Sequence, residues 1–189
     1  MGKTITEQFP VGEAEYSELD KKFGNLANYA GWQLIKKNNR NNHTDSHEDV
    51  AQELRIALLQ AGSYYKRQVY IESCLSLCNE YVDDPFVFKI VEKLQFLWKN
   101  KTRHGANKQK FGPHQERLLG RIVRSYVPAR LRPSKKAPLV VDSKFATYCK
   151  AITWNRQKAL GKKITREKVI RANSVSLSEY DYLGSENWR

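Results

Sequence analysis

A chain of 189 residues with 33 Lys/Arg against 20 Asp/Glu carries a formal net charge of +13. Its length suits one domain, or one domain with a large insertion, and is enough to bury a core without disulfide staples. Three cysteines cannot all pair internally, no apolar run reaches spanning length, and the N-terminus is polar and acidic, which argues against disulfide scaffolds, membrane proteins and signal-bearing chains.

The expected location is therefore the cytoplasm, a reducing compartment. The surplus positive charge favours an anionic partner, most simply nucleic acid, over the plainer reading of a solvated basic surface. It is unevenly spread. Residues 1–60 hold seven Lys/Arg and nine Asp/Glu, so the remaining 129 residues carry +15. Such asymmetry suits a chain with one surface for a protein and another for phosphates.

In chain order, residues 1–19 have little periodicity and read as a flexible arm. Phe23, Leu26, Ala27, Ala30, Leu34 and Ile35 then recur at helical spacing, which predicts an amphipathic helix over 20–37. The Asn-rich run 38–45 ends it. Ser46 is an N-cap, with Glu48 and Asp49 in the first turn where the helix dipole favours anions. That second helix is expected to reach about Tyr64, with Val50, Leu54, Ala57, Leu58 and Ala61 inward and Gly62-Ser63 fraying its end. Residues 69–81 place Ile71, Cys74, Leu75 and Cys78 on one helical face.

Asp83-Asp84-Pro85 is a helix start, and the helix it opens is expected to bury Phe86, Ile90, Leu94 and Leu97 or Trp98. Residues 99–112 read as an exposed basic loop. Pro113 opens a helix with Leu118, Leu119, Ile122 and Val123 as its stripe. Pro128, Pro133 and Pro138 mark an extended linker. Asp142 or Ser143 caps a helix that Gly161 is expected to stop, followed by a short basic helix over 165–171 and a Ser-rich tail from Asn173. No strand-like alternation of useful length occurs, so the fold class is all-α.

Two segments carry a family resemblance. Asp49-Val50-Ala51-Gln52-Glu53, continuing to Leu58 and Ala61, resembles the core-polymerase-binding helix of bacterial sigma factors, D-L-x-Q-E-x-x-x-x-L-x-x-A. Phe145-Ala146-Thr147-Tyr148, continuing through Ile152, Trp154 and Asn155, resembles their promoter-melting helix, F-x-T-Y-A or F-x-x-W-L-x-x-I-x-x-N. About eighty residues separate the two. The resemblance thus implies a sigma-like helical bundle whose halves are 20–68 and 139–172. Residues 69–138 form an inserted basic helical segment, and 173–189 a C-terminal tail. A chain with only the docking and melting regions is similar to the late-transcription sigma factors of tailed bacteriophages, which implies a phage protein acting in the bacterial host cytoplasm.

The resemblance implies partners as well. Asp49, Gln52, Glu53, Ile56 and Gln60 share a flank by 3/4 spacing and would dock on a coiled coil of the largest subunit of bacterial core RNA polymerase. Promoter DNA would meet Lys144, Tyr148, Lys150, Trp154, Asn155, Arg156, Gln157 and Lys158, then Lys162, Lys163 and Arg166. Cations serve phosphates there, and an exposed aromatic serves an unpaired base. Independently of the resemblance, residues 99–136 hold twelve Lys/Arg and a single acid, Glu116. Within them Arg117, Arg121 and Arg124 form an i, i+4, i+7 stripe suited to duplex phosphates. The segment Ser176–Leu183 has a hydrophobic-acidic character like the peptide with which the phage factors engage a sliding clamp or coactivator.

Catalysis finds little footing. Cys74 and Cys78 with His104 and His114 lack the tight paired turns of zinc modules, and His43, Asp45, His47, Glu48 and Asp49 complete no nuclease site. No cofactor is expected. Two other readings stand beside the sigma-like one: a non-catalytic basic helical protein that binds DNA or RNA without polymerase, and a small helical nuclease or metal-dependent enzyme.

Overall fold

The caps and apolar stripes of the sequence resolve into six α-helices and one 3-10 turn, with no strand among the described residues. The computed structural model describes residues 4–38, 47–100 and 111–185, without the side chains of 37, 38, 47, 168, 169 and 171–185. The helices are α1 (Ile5–Gln8), α2 (Glu13–Asn38), α3 (His47–Tyr81), α4 (Pro85–Lys99), α5 (Pro113–Tyr126) and α6 (Ser143–Ser185). Among the described residues, no helix is long and apolar enough to cross a membrane. The chain divides into two units, one of Met1–Val11 with Gly62–Leu139 and the other of Gly12–Ala61 with Val140–Arg189.

The first unit is built by α1, the second part of α3, α4 and α5. Asp84 starts α4 by accepting from the backbone N–H groups of Phe86 at 2.8 Å and Val87 at 3.3 Å, with Pro85 at the first helical position where its missing N–H costs nothing. At the far end of α5, Arg132 donates to the carbonyls of Val127 at 2.9 Å and Arg124 at 2.7 Å. A guanidinium there satisfies orphan carbonyls and complements the negative end of the helix dipole. Between the helices, Ile71, Cys74, Cys78, Val91, Leu94, Leu119 and Ile122 form a buried core. Trp98 closes it edge-on against Phe111, ring centroids 5.1 Å apart.

The second unit packs α2, the first part of α3 and α6. Ala27 and Ala30 are fully buried on α2, and side chains that small let a neighbouring helix approach closely. Phe145 at the start of α6 meets Phe23 edge-on at 6.1 Å, and further along Gln157 meets Ala30 while Leu34 lies against Gly161. The contacts advance in the same direction on both helices, so α2 and α6 run parallel. Phe145, Cys149, Thr153 and Gln157 form the buried stripe of α6, one residue per turn.

Several expectations need correction. Residues 4–19 are not a loose arm. Thr4 and Glu7 form a reciprocal capping box on α1, Phe9 is buried, and α2 begins at Glu13. Gly62 and Ser63 do not fray a helix end; both are buried within a continuous α3, where packing outweighs glycine's poor helix propensity of about 1 kcal/mol. Gly161 does not stop α6 either, which runs on to Ser185 through the expected short helix and most of the expected tail. No glycine among the described residues has the left-handed backbone of a C-cap. Phe86 points outward, 74% exposed, and Ile90 is only partly buried; α4 buries Leu94 and Trp98 as expected, with Val91 beside them.

Candidate nucleic-acid interface

Helical geometry decides what the first turns of α3 present. Val50, Ala51, Leu54, Ala57, Leu58 and Ala61 are buried, so the positions between them must face outward. Asp49, Gln52, Glu53, Ile56 and Gln60 are all exposed. Together they make an acidic-polar flank with one aliphatic side chain, Ile56, 42% exposed at its centre. Beside it Arg55 meets Asp20 of α2 at 3.1 Å. A Cβ at Gly24 would lie 2.7 Å from an Asp20 carboxylate oxygen, so a side chain there would make the carboxylate shift.

On α6, Asp142 accepts from the Phe145 N–H at 2.7 Å and starts the helix. With the 145/149/153/157 stripe turned inward, Lys144, Lys150, Asn155, Arg156, Lys158, Lys162, Lys163 and Arg166 are exposed, and Tyr148 and Trp154 are half-buried. Lys163 lies 3.9 Å from Glu167, a loose surface pair that leaves the run strongly basic.

Gln157 departs from the expected DNA-facing set. It is 9% exposed, and its amide donates to the Ala30 carbonyl at 2.7 Å, so it joins α6 to α2. It lies on the buried stripe that runs through Phe145, Cys149 and Thr153, and so faces α2 instead of solvent.

The two segments distant in sequence lie in one unit and touch. Arg156 Nη2 donates to Glu53 Oε2 at 2.8 Å, with both side chains about half exposed (47% and 48%). An exposed pair of this kind is worth roughly 0–1 kcal/mol and exchanges readily for another partner. Arg117, Arg121 and Arg124 are exposed on α5, in the other unit.

One group on α2 escaped the sequence reading. Tyr29 and Trp32 stack with centroids 6.4 Å apart, each about half exposed (51% and 49%), and the Lys36 ammonium sits 4.7 Å from the Trp32 ring centre. A flat aromatic face with a cation on it is suited to stacking an unpaired base. The available signal was Trp32 standing off the apolar stripe of its helix, beside Lys36.

The three thiols are free and buried. Burial pushes Cys149 and Cys78 up to about 12 and Cys74 up to about 11, so all are neutral near pH 7. Cys74 and Cys78 belong to the core of the first unit. His43, Asp45 and His104 lie outside the described residues. Among the described residues no three His, Cys, Asp or Glu side chains converge as metal ligands. The clamp-like segment Ser176–Leu183 falls within α6, with its side chains outside the described residues. Against known proteins, the chain matches no family model, no curated protein and no solved structure.

Proposed function

We propose that this chain is a sigma-like transcription initiation factor, encoded by a phage. It docks on bacterial core RNA polymerase through Asp49, Gln52, Glu53, Ile56 and Gln60, and captures and opens a short promoter element through α6. It performs no chemistry of its own. The observation that carries the reading is the joining of Glu53 and Arg156. Two motif-bearing segments, joined by residues 103 positions apart, pack into one unit, with the polar side chains of both on exposed flanks.

The electrostatics support the same division of labour. The α3 flank offers Asp49 and Glu53 to a basic coiled coil, and charge complementarity of this kind orients docking and speeds encounter. On α6 the cations Lys144, Lys150, Lys158, Lys162 and Arg166 can hold phosphates. Trp154, with Tyr29 and Trp32 on α2, supplies aromatic surface for bases leaving the duplex. Unstacking costs a few kcal/mol per base, and base–aromatic stacking returns about 1–3 kcal/mol each.

The test is capture of purified core RNA polymerase by the immobilised chain. Gln52→Lys and Gln60→Lys reverse the character of the flank without touching the Glu53–Arg156 pair. Capture by the parent chain, lost in the double variant and retained in Arg156→Ala, is the expected result. No capture by the parent, with salt-sensitive DNA binding intact, would leave a polymerase-independent nucleic-acid binder.

A further inference from the structure

The first unit holds a cavity of about 770 Å³ whose lining includes six cations among apolar and neutral polar residues. Arg67, Arg117, Arg121, Arg124, Arg132 and Lys135 surround it, against one carboxylate, Glu116. Glu116 is nearly buried and already engaged on both oxygens, accepting from Arg67 Nε at 2.9 Å and Lys135 Nζ at 3.0 Å. Lys135 also donates to the Gln8 side chain at 3.1 Å and lies over the rings of Phe9 and Tyr70. These contacts tie Arg67, Glu116 and Lys135 to one another and to Gln8 along one side of the cavity. Arg117, Arg121 and Arg124 on its α5 wall form no ion pair among the described residues. Concentrating like charges around a concavity costs free energy until an anion enters.

A second observation points to the same place. Gly120 stands in the middle of α5 and lines the cavity, and a Cβ built on it would meet nothing within 4 Å. Packing therefore gives no reason for a residue that weakens a helix. Its bare backbone leaves the α5 wall open to close approach.

The geometry points to a binding site for linked phosphate groups. Arg117 and Arg124 are seven residues apart on one helix, about 10 Å along its axis, so the ligand carries more than one anionic group. Guanidinium forks match phosphate oxygens in pairs. The volume falls in the range of small-ligand clefts, roughly 300–1,000 Å³. The shared chemistry is therefore that of a nucleotide polyphosphate or a few phosphodiesters of one strand. The site is independent of the polymerase reading, since none of its residues lies in the unit of α2 and α6.

The experiment is titration of the full chain with tripolyphosphate and, separately, with a single-stranded dodecanucleotide, by calorimetry at 0.1 M salt. Three variants are compared, each checked for fold by circular dichroism. Arg121→Glu reverses one wall charge. Gly120→Leu plugs the cavity at constant charge, with a residue that favours helix. Lys89→Glu makes the same charge change on exposed α4, away from the cavity. The expected result is at least tenfold weaker binding of one or both ligands in Arg121→Glu and Gly120→Leu, with less than threefold change in Lys89→Glu. Which ligand binds the parent more tightly identifies the source. No binding of either ligand, unchanged binding in Gly120→Leu, or equal losses in Arg121→Glu and Lys89→Glu would overturn the proposal.

Discussion

Truncating Phe145 to alanine tests the packing that holds the α6 surface in place. The ring is fully buried against α2 and meets Phe23 edge-on, with centroids 6.1 Å apart and planes at 85°. Phe→Ala in a core costs about 3–5 kcal/mol, combining lost transfer energy with the cavity left behind. Of that, about 0.5–1.5 kcal/mol belongs to the aromatic pair. Cys149, one turn further along α6, is a built-in reporter, because its buried thiol reacts only when the packing opens. If labelling is slower than reclosing, 3 kcal/mol corresponds to an acceleration of roughly a hundredfold. The assay is timed thiol labelling with mass-spectrometric readout at Cys149, Cys74 and Cys78. A double-mutant cycle with Phe23→Ala isolates the ring–ring contribution. The account expects Cys149 to accelerate far more than Cys74 and Cys78, which belong to the other core. An acceleration below tenfold, or an equal one at all three thiols, would refute the reasoning.

Other consequences follow from the same contacts. Gln157→Ala removes the amide that donates to the Ala30 carbonyl; the expected loss is about 1 kcal/mol in urea unfolding, with DNA affinity unchanged, and a drop in affinity would return Gln157 to the DNA-facing set. Asp84→Ala removes both cap bonds of α4 and is expected to cost about 0.5–2 kcal/mol, a loss that Asp84→Asn largely restores. Alkaline stability should decline through the thiols. Their folded values of about 11–12 lie above the ordinary value of 9.0, so their contribution is complete below about pH 9. It is lost as pH rises from there toward 12, because the unfolded chain releases protons that the folded one retains. Melting temperatures across that window should fall less steeply in Cys149→Ala than in the parent chain.

What the sequence made legible was local chemistry. Asp84-Pro85 started α4 where a cap and a first-position proline should, and Asp142 started α6. The all-α class followed from helical spacing without strand-like alternation. The α3 flank was legible because the five inward positions Val50, Leu54, Ala57, Leu58 and Ala61 left little choice for the residues between them. Tertiary packing decided the rest. Gly62, Ser63 and Gly161 read as helix ends because propensity is a local quantity, whereas their burial or close packing is set by residues far away. Leu34 against Gly161 is one such case. Gln157 and Phe86 were misplaced for a related reason. On a helix, a stripe can be rotated by one position with little change in apolar content, and only the partner surface fixes which rotation is adopted. Nor could the sequence indicate that the α5 arginines wall a cavity, since Arg67, Arg132 and Lys135 come from separate stretches of chain.

The central claim is that the α3 flank meets polymerase while α6 meets promoter DNA. Site-specific photocrosslinking tests it most directly, with the probe placed at Gln52 in one sample and at Lys158 in another. Both positions are exposed. Each sample is mixed with core RNA polymerase and promoter-containing DNA. The account expects Gln52 to crosslink to the largest polymerase subunit and Lys158 to the DNA. Crosslinks from both positions to DNA, with none to any polymerase subunit, would contradict it.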